Sequence, residues 1–95
     1  MDTFGIIAFR SRQAVLSFQK VLEKRGIKSS VIHTPSAISL GCGLSVRFSL
    51  PDLLDVAGAL VSPYTQSLIG VYAAHESVRG TELIPLDWNF LKNSR

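Results

Sequence analysis

Apolar positions recur along the chain with two different periods. A continuous apolar run from Phe4 to Phe9 is typical of a central strand covered on both faces. From Leu44 to Leu50 every second residue is apolar and the residues between are serine or arginine, which predicts a half-buried strand. Two further short runs, 27–33 and 67–74, are bounded by turn residues and are also predicted to be strands.

In the segments between these strands, apolar residues recur at the spacing of a helix. Ser11 can cap a first helix, and Gly26 is placed to end it in a left-handed conformation. A second helix is predicted to begin near Ser49 and Pro51 and to end before Pro63. The buried stripes of the two helices are predicted to consist of Ala14, Val15, Phe18, Val21 and Leu22, and of Leu53, Val56, Ala57 and Leu60.

The order strand-helix-strand-strand-helix-strand predicts an α+β fold, the ferredoxin-like βαββαβ plait. We expect a four-stranded antiparallel sheet in the order 4-1-3-2, with both helices on one face. Residues 1–76 would form this domain, and residues 77–95 would form a C-terminal extension. Because this extension is too apolar for a disordered end, Leu83 to Leu91, with Trp88 and Phe90, should pack on the open sheet face or on a partner subunit.

Composition narrows the class of protein. Ninety-five residues allow one domain, and the net charge of +3 lacks the clustered basic and aromatic residues of a nucleic-acid site. No apolar stretch reaches the ~20 residues of a membrane helix. One cysteine excludes an internal disulfide framework, and no secretory leader follows Met1, so we expect a cytoplasmic protein. The mean hydropathy of +0.27 is high, which predicts apolar surface covered by the extension or in a homodimer.

The cysteine, Cys42, lies between Gly41 and Gly43 in a predicted loop. Glycines there allow positive φ and the close approach of another molecule. The predicted topology brings this loop to the N-terminus of the first helix, beside Ser11 and Arg12. Helix N-termini and nearby cations increase the thiolate fraction of a cysteine, so Cys42 is a candidate sulfur nucleophile. A tight hairpin turn with an incidental thiol is the alternative.

The segments Phe9-Arg10-Ser11, Thr34-Pro35, Ile38-Ser39 and Cys42-Gly43-Leu44 resemble a small bacterial family described as "Putative Se/S carrier protein-like". The resemblance covers roughly residues 3–72 and includes an S-x-x-C-G segment. It implies a sulfur or selenium carrier rather than an independent enzyme, with Cys42 as the attachment point. The partners it implies are a donor such as a cysteine desulfurase and an acceptor protein. Gly41, Gly43, Ser11, Arg12, Ser39 and Arg47 are the supporting candidates.

One position departs from that family. Its members often have arginine after the turn proline, where this chain has Ser36. A positive charge for an anionic group would then have to come from Arg12 or Arg47.

Other chemistries have less support in the sequence. His33 is predicted at the same sheet end as Cys42, but no residue is evident that would orient a cysteine–histidine dyad. His33 and His75 lack metal-ligand spacing with each other or with Cys42, so no metal is expected. Gly41-Cys42-Gly43 is followed by a predicted strand and not by a helix with lysine, so no nucleotide or other cofactor is expected. A small interaction or regulatory module with an incidental thiol stays open as the second function class. Mass spectrometry after incubation with a cysteine desulfurase and cysteine would separate it from a carrier.

Overall fold

The computed structural model describes residues 2–38 and 40–88. A 3-10 turn at Leu50–Asp52 precedes the second helix. The helices and strands, in chain order, are β1 (Asp2–Phe9), α1 (Arg12–Lys24), β2 (Ser29–His33), β3 (Leu44–Phe48), α2 (Leu53–Ala59), α3 (Tyr64–Ser67), β4 (Leu68–Ser77) and β5 (Gly80–Leu86).

The strands form one antiparallel sheet in the order β2-β3-β1-β4-β5. The prediction of a four-stranded sheet was therefore wrong, because Gly80–Leu86 pairs with β4 as a fifth strand. The neighbours predicted for the first four strands match the observed order. The boundary expected at residue 76 falls inside β4, one residue before that strand ends.

The central strand β1 is buried from Phe4 to Phe9, as its continuous apolar run predicts. Successive side chains of a strand point to opposite faces of the sheet. Ile7 and Phe9 therefore join the core on one face, and Phe4 and Ile6 join a smaller cluster on the other.

The helices α1, α2 and α3 pack on the first of these faces. We call their common cluster the helix-side core; it includes Phe9, Val15, Phe18, Leu22, Val46, Phe48, Val56, Ala59, Leu60 and Val71, with Tyr64 at its margin. The rings of Phe9 and Phe18 lie 5.5 Å apart, and those of Phe18 and Tyr64 5.2 Å apart. The prediction that α1 and α2 share one face of the sheet is confirmed by this cluster.

The ends of the helices follow local chemistry. The Ser11 hydroxyl accepts a hydrogen bond from the Ala14 amide at 3.3 Å, which caps α1 as predicted. Gly26 has φ 77° just after α1. α2 begins later than predicted, because Pro51 lies in the 3-10 turn and the Ser49 side chain makes no capping bond.

The opposite, open face of the sheet is partly covered. Its apolar cluster consists of Phe4, Ile6 and Ala74, with Ile32, Ile38, Tyr72 and Leu83 packed against it. The extension thus covers apolar surface in two places: Leu83 packs here, and Leu86 and Trp88 pack on the helix-side core. Phe90 and Leu91, which were predicted to take part, lie outside the described residues. Among the described residues no helix has the length and hydropathy needed to span a membrane.

Candidate functional site

Cys42 lies in the connection between β2 and β3. Thr34 donates its amide to the Gly43 carbonyl at 2.9 Å, which closes the base of this connection. Gly41 and Gly43 have φ values of 104° and 87°, a conformation that side-chain-bearing residues rarely adopt. The glycines that flank the cysteine are therefore required by the backbone of the loop.

Cys42 is partly packed against the core and partly exposed to solvent. The residue is half-buried and contacts the helix-side core. Its Sγ donates a long hydrogen bond, 3.7 Å, to the Leu44 carbonyl. A thiol is a weak donor, so this contact orients the sulfur without holding it firmly. Cys42 is a free cysteine, and part of the residue is exposed to solvent.

Gly41 fixes the loop against the end of β1. A Cβ atom placed on Gly41 would lie 2.8 Å from the Phe9 carbonyl oxygen and 2.6 Å from the Ile69 side chain. No residue with a side chain fits at these distances without displacing its neighbours. Since Phe9 comes two residues before the Ser11 cap, the Cys42 loop lies at the α1 end of β1, where the topology predicted it.

The β1–α1 junction is itself held by hydrogen bonds. The Arg10 amide donates to the Ser67 carbonyl at 2.7 Å, and the Ser11 amide donates to the Ser67 hydroxyl at 3.2 Å. The Arg10 guanidinium donates to the Leu68 carbonyl at 3.2 Å. The chain entering β4 therefore reaches this junction. Sequence reasoning missed Ser67 and Ile69, whose contacts here arise from tertiary packing rather than a motif.

The two predicted cations lie in different surroundings. Arg12 is the first residue of α1 and is exposed at the same end as the loop. Arg47 lies on the open face, paired with Asp2 at 2.6 Å and stacked 3.7 Å from the centre of the Phe4 ring. It lies three positions along β3 from Leu44, roughly 10 Å at strand spacing.

The structure therefore does not bring Arg47 to the thiol. Ser11 is near the loop, but its hydroxyl caps α1. Ser36 is an exposed turn residue. Ser39, another supporting candidate, lies outside the described residues.

His33 is exposed at the end of β2, opposite Leu44 in the register. The hydrogen bond of the Cys42 thiol goes to the Leu44 carbonyl, and none joins it to His33 in the described part of the chain. Within residues 2–38 and 40–88, no three His, Cys, Asp or Glu side chains form a group that could hold a metal ion.

A pocket of about 350 Å³, lined mostly by apolar residues, opens beside the loop on the open sheet face. Leu40, which immediately precedes Gly41, is 68% exposed at its rim. Ile69, which contacts the Gly41 position, forms another part of the wall. The full lining is Ala37, Ile38, Leu40, Ile69, Tyr72, Leu83 and Pro85.

Comparison with known proteins places this chain in a family. A search of curated proteins and a search of solved structures each gave no match. A family model described as "Putative Se/S carrier protein-like" matches residues 4–63, which is 60 of the 95 residues. The match runs from β1 through α2 and contains the whole Cys42 loop. The chain therefore belongs to the "Putative Se/S carrier protein-like" family.

Proposed function

We propose that the protein is a bacterial, cytoplasmic carrier of sulfur or selenium, with Cys42 as the attachment point. The observation that carries this proposal is the position of Cys42. The chain's one cysteine lies half-exposed between two positive-φ glycines, inside the segment that matches a Se/S carrier family. Such a protein is a co-substrate of other enzymes and needs no cofactor of its own.

The transfer requires two exchange steps. In the first, the Cys42 thiolate attacks the terminal sulfur of a persulfide on the donor enzyme. A new S–S bond forms to Cys42, the donor's S–S bond breaks, and the donor cysteine leaves as a thiolate. In the second, a nucleophile of the acceptor attacks the terminal sulfur and Cys42 leaves as a thiolate. No external oxidant is consumed, and a selenopersulfide passes its terminal selenium in the same way.

The loop geometry suits these steps. The attacking atom must approach along the axis of the breaking bond, so the terminal sulfur needs an open path. Gly41 and Gly43 carry no side chains that would block it. Cys42 packs against the helix-side core but is only partly buried, so the residue retains exposed surface that a partner can contact.

The test is intact-mass spectrometry after incubation with a cysteine desulfurase and cysteine. We expect a mass increase of one sulfur atom, removed by dithiothreitol and mapped by peptide analysis to Cys42. With selenocysteine and a selenocysteine-using donor, the increase of one selenium atom tests the alternative cargo. The Cys42→Ser variant is the control, and it should take up neither atom. If wild-type protein also takes up neither, with a donor active on another acceptor, the proposal is wrong.

A second candidate function is a small interaction module in which the thiol has no role. The pocket beside Leu40 favours it, because an exposed apolar wall is typical of a surface that binds another protein. The two candidates differ in their dependence on sulfur chemistry. Under the second candidate, Cys42→Ser would retain every partner and every function of the wild-type protein.

A further inference from the structure

The two edges of the sheet expose different backbone groups. In antiparallel pairs, residues alternate between positions bonded to the neighbour and positions that point outward. The Thr34 amide bonds to the Gly43 carbonyl, so the alternate residues Ser30 and Ile32 also bond to β3 in this register. The outward positions of β2 are therefore Ser29, Val31 and His33. Continuing the alternation across the sheet places the outward positions of β5 at Thr81, Leu83 and Pro85.

The β5 edge carries a feature that prevents further pairing. Pro85 has no amide hydrogen, and it lies at an outward position where a pairing strand would need one. Proline and charged residues are the usual means by which edge strands avoid contact with other chains. The β5 edge is therefore closed by its own sequence.

Within the described residues, the β2 edge is covered by a side-chain hydrogen bond at its Ser29 end only. No Asp, Glu, Lys or Arg occurs between residues 29 and 46, and the strand itself contains no proline. Val31 is 37% exposed, and His33 is exposed at the end of the strand. The Gln19 side chain bonds to the Ser29 carbonyl, but no such side-chain bond reaches the Val31 or His33 backbone within the described residues.

We propose that two copies of the chain associate through β2. Antiparallel pairing about a two-fold axis at Val31 places each Val31 opposite the other. It also places Ser29 of each copy opposite His33 of the partner subunit. All three outward positions of each strand are then used, and the partner's His33 amide replaces the Gln19 side chain at the Ser29 carbonyl. The sheets join into one continuous sheet with the helices of both copies on the same face. This proposal is independent of the proposed function, since it does not involve Cys42.

The geometry also fixes where the two thiols lie. Each Cys42 loop follows the His33 end of its own β2, and the two strands run in opposite directions. The loops therefore lie at opposite ends of the shared edge. The dimer needs no disulfide, and both thiols stay accessible to donor and acceptor proteins.

The first test uses the unaltered protein. Sedimentation equilibrium under reducing conditions should give twice the 10.4 kDa chain mass, and Cys42→Ser should give the same result. As rising protein concentration increases the fraction of dimer, the Val31 and His33 amides should exchange hydrogen about tenfold or more slowly. The outward amides of Thr81 and Leu83 are the internal control and should exchange at a concentration-independent rate. A monomer at all concentrations, or Val31 and His33 amides as fast as those of Thr81 and Leu83, would overturn the proposal.

The second test addresses the register. Because Val31 lies on the two-fold axis, Val31→Lys places two like charges side by side, and so does Val31→Glu. Each variant alone should be monomeric, while an equal mixture should form a heterodimer. Ile84→Lys, on exposed β5, should remain dimeric. Circular dichroism checks that each variant is folded. A folded Val31→Lys protein that stays dimeric, or folded variants whose mixture stays monomeric, would contradict this register.

Discussion

Gly41 is the residue whose replacement should disturb the site most. Its φ of 104° is unfavourable for alanine, and an added Cβ would collide with the Phe9 carbonyl and Ile69. Gly43 has a similar φ of 87°, but no atom lies within 4 Å of its would-be Cβ. We expect Gly41→Ala to lower the free energy of unfolding by about 2–3 kcal/mol and Gly43→Ala by about 1 kcal/mol. Urea denaturation measures both.

The same pair should differ in the reactivity of Cys42. Since Gly41→Ala must shift the loop away from β1, we expect its alkylation rate by iodoacetamide to change, whereas that of Gly43→Ala should stay close to the wild-type rate. If Gly41→Ala and Gly43→Ala lower the free energy of unfolding equally, the loop does not pack against the Phe9 carbonyl.

The two arginines predicted for the site offer a second comparison. Arg12 is exposed at the loop's end of α1, and Arg47 is paired with Asp2 on the open face. The Asp2 carboxylate neutralises much of the Arg47 charge, whereas Arg12 is exposed at the loop's end of the sheet. Because a nearby cation attracts an anionic reagent, we expect Arg12→Ala to slow alkylation of Cys42 by iodoacetate about twofold and Arg47→Ala to leave it unchanged. If Arg47→Ala slows alkylation of Cys42 more than Arg12→Ala does, Arg47 and not Arg12 is the cation that acts at the site.

Some of these residue positions followed from the sequence and some did not. The end of the sheet where Cys42 lies was predictable, because it depends on the order of elements alone. The separation of Arg47 from Cys42 depends on which face an alternating residue points to. Its pairing with Asp2 and Phe4, from the far end of the neighbouring strand, depends on register. No motif in a single segment carries that information.

At the level of elements, α1 depends on its cap. The Ser11 hydroxyl bonds to the Ala14 amide, and its loss leaves a donor at the helix N-terminus without that partner. We expect Ser11→Ala to cost about 1 kcal/mol of unfolding free energy. Ser36→Ala, in an exposed turn, should change it by less than about 0.5 kcal/mol and serves as the matched control.

Sulfur loading separates this structural role from a chemical one. If Ser11 acts as a cap, the folded Ser11→Ala protein should still take up sulfur on Cys42 at the wild-type rate. A folded variant that loads much more slowly would assign Ser11 to the transfer itself.

The strand missed by the sequence prediction has a physical explanation. β5 contains Glu82 and Pro85, and proline is rare in central strands, so the segment reads as an apolar extension rather than a strand. The turn before it, Val78-Arg79, lacks the Asn-Gly or Asp-Gly signature of a two-residue hairpin. The strand forms because β4 offers an unpaired edge and Leu83 and Leu86 find apolar surface on opposite faces. The strong periodicities of β1, α1 and β3, by contrast, were sufficient to predict those elements.

At the scale of the whole molecule, the apolar residues of β1 require cover on both faces of the sheet. It is apolar towards both faces, and helices lie on one face only within the described residues. Tyr72 and Leu83 cover part of the other, with Ile32 and Ile38 beside them. The extension is thus part of how the domain buries its central strand, although the family model ends at residue 63.

The last prediction tests this dependence on the extension. A chain ending at Glu76 loses β5, exposes the backbone of the β4 edge and uncovers apolar surface on both faces. We expect it to aggregate, or to lose more than about 3 kcal/mol of unfolding free energy, a large fraction for a small domain.

Trp88→Ala keeps the strand and removes one half-buried ring, so it should cost about 1–3 kcal/mol. Ile84→Ala, at a position 61% exposed, should cost less than about 0.5 kcal/mol. Urea denaturation followed by circular dichroism ranks the three, and a soluble chain ending at Glu76 with wild-type stability would show that residues 1–76 fold without β5.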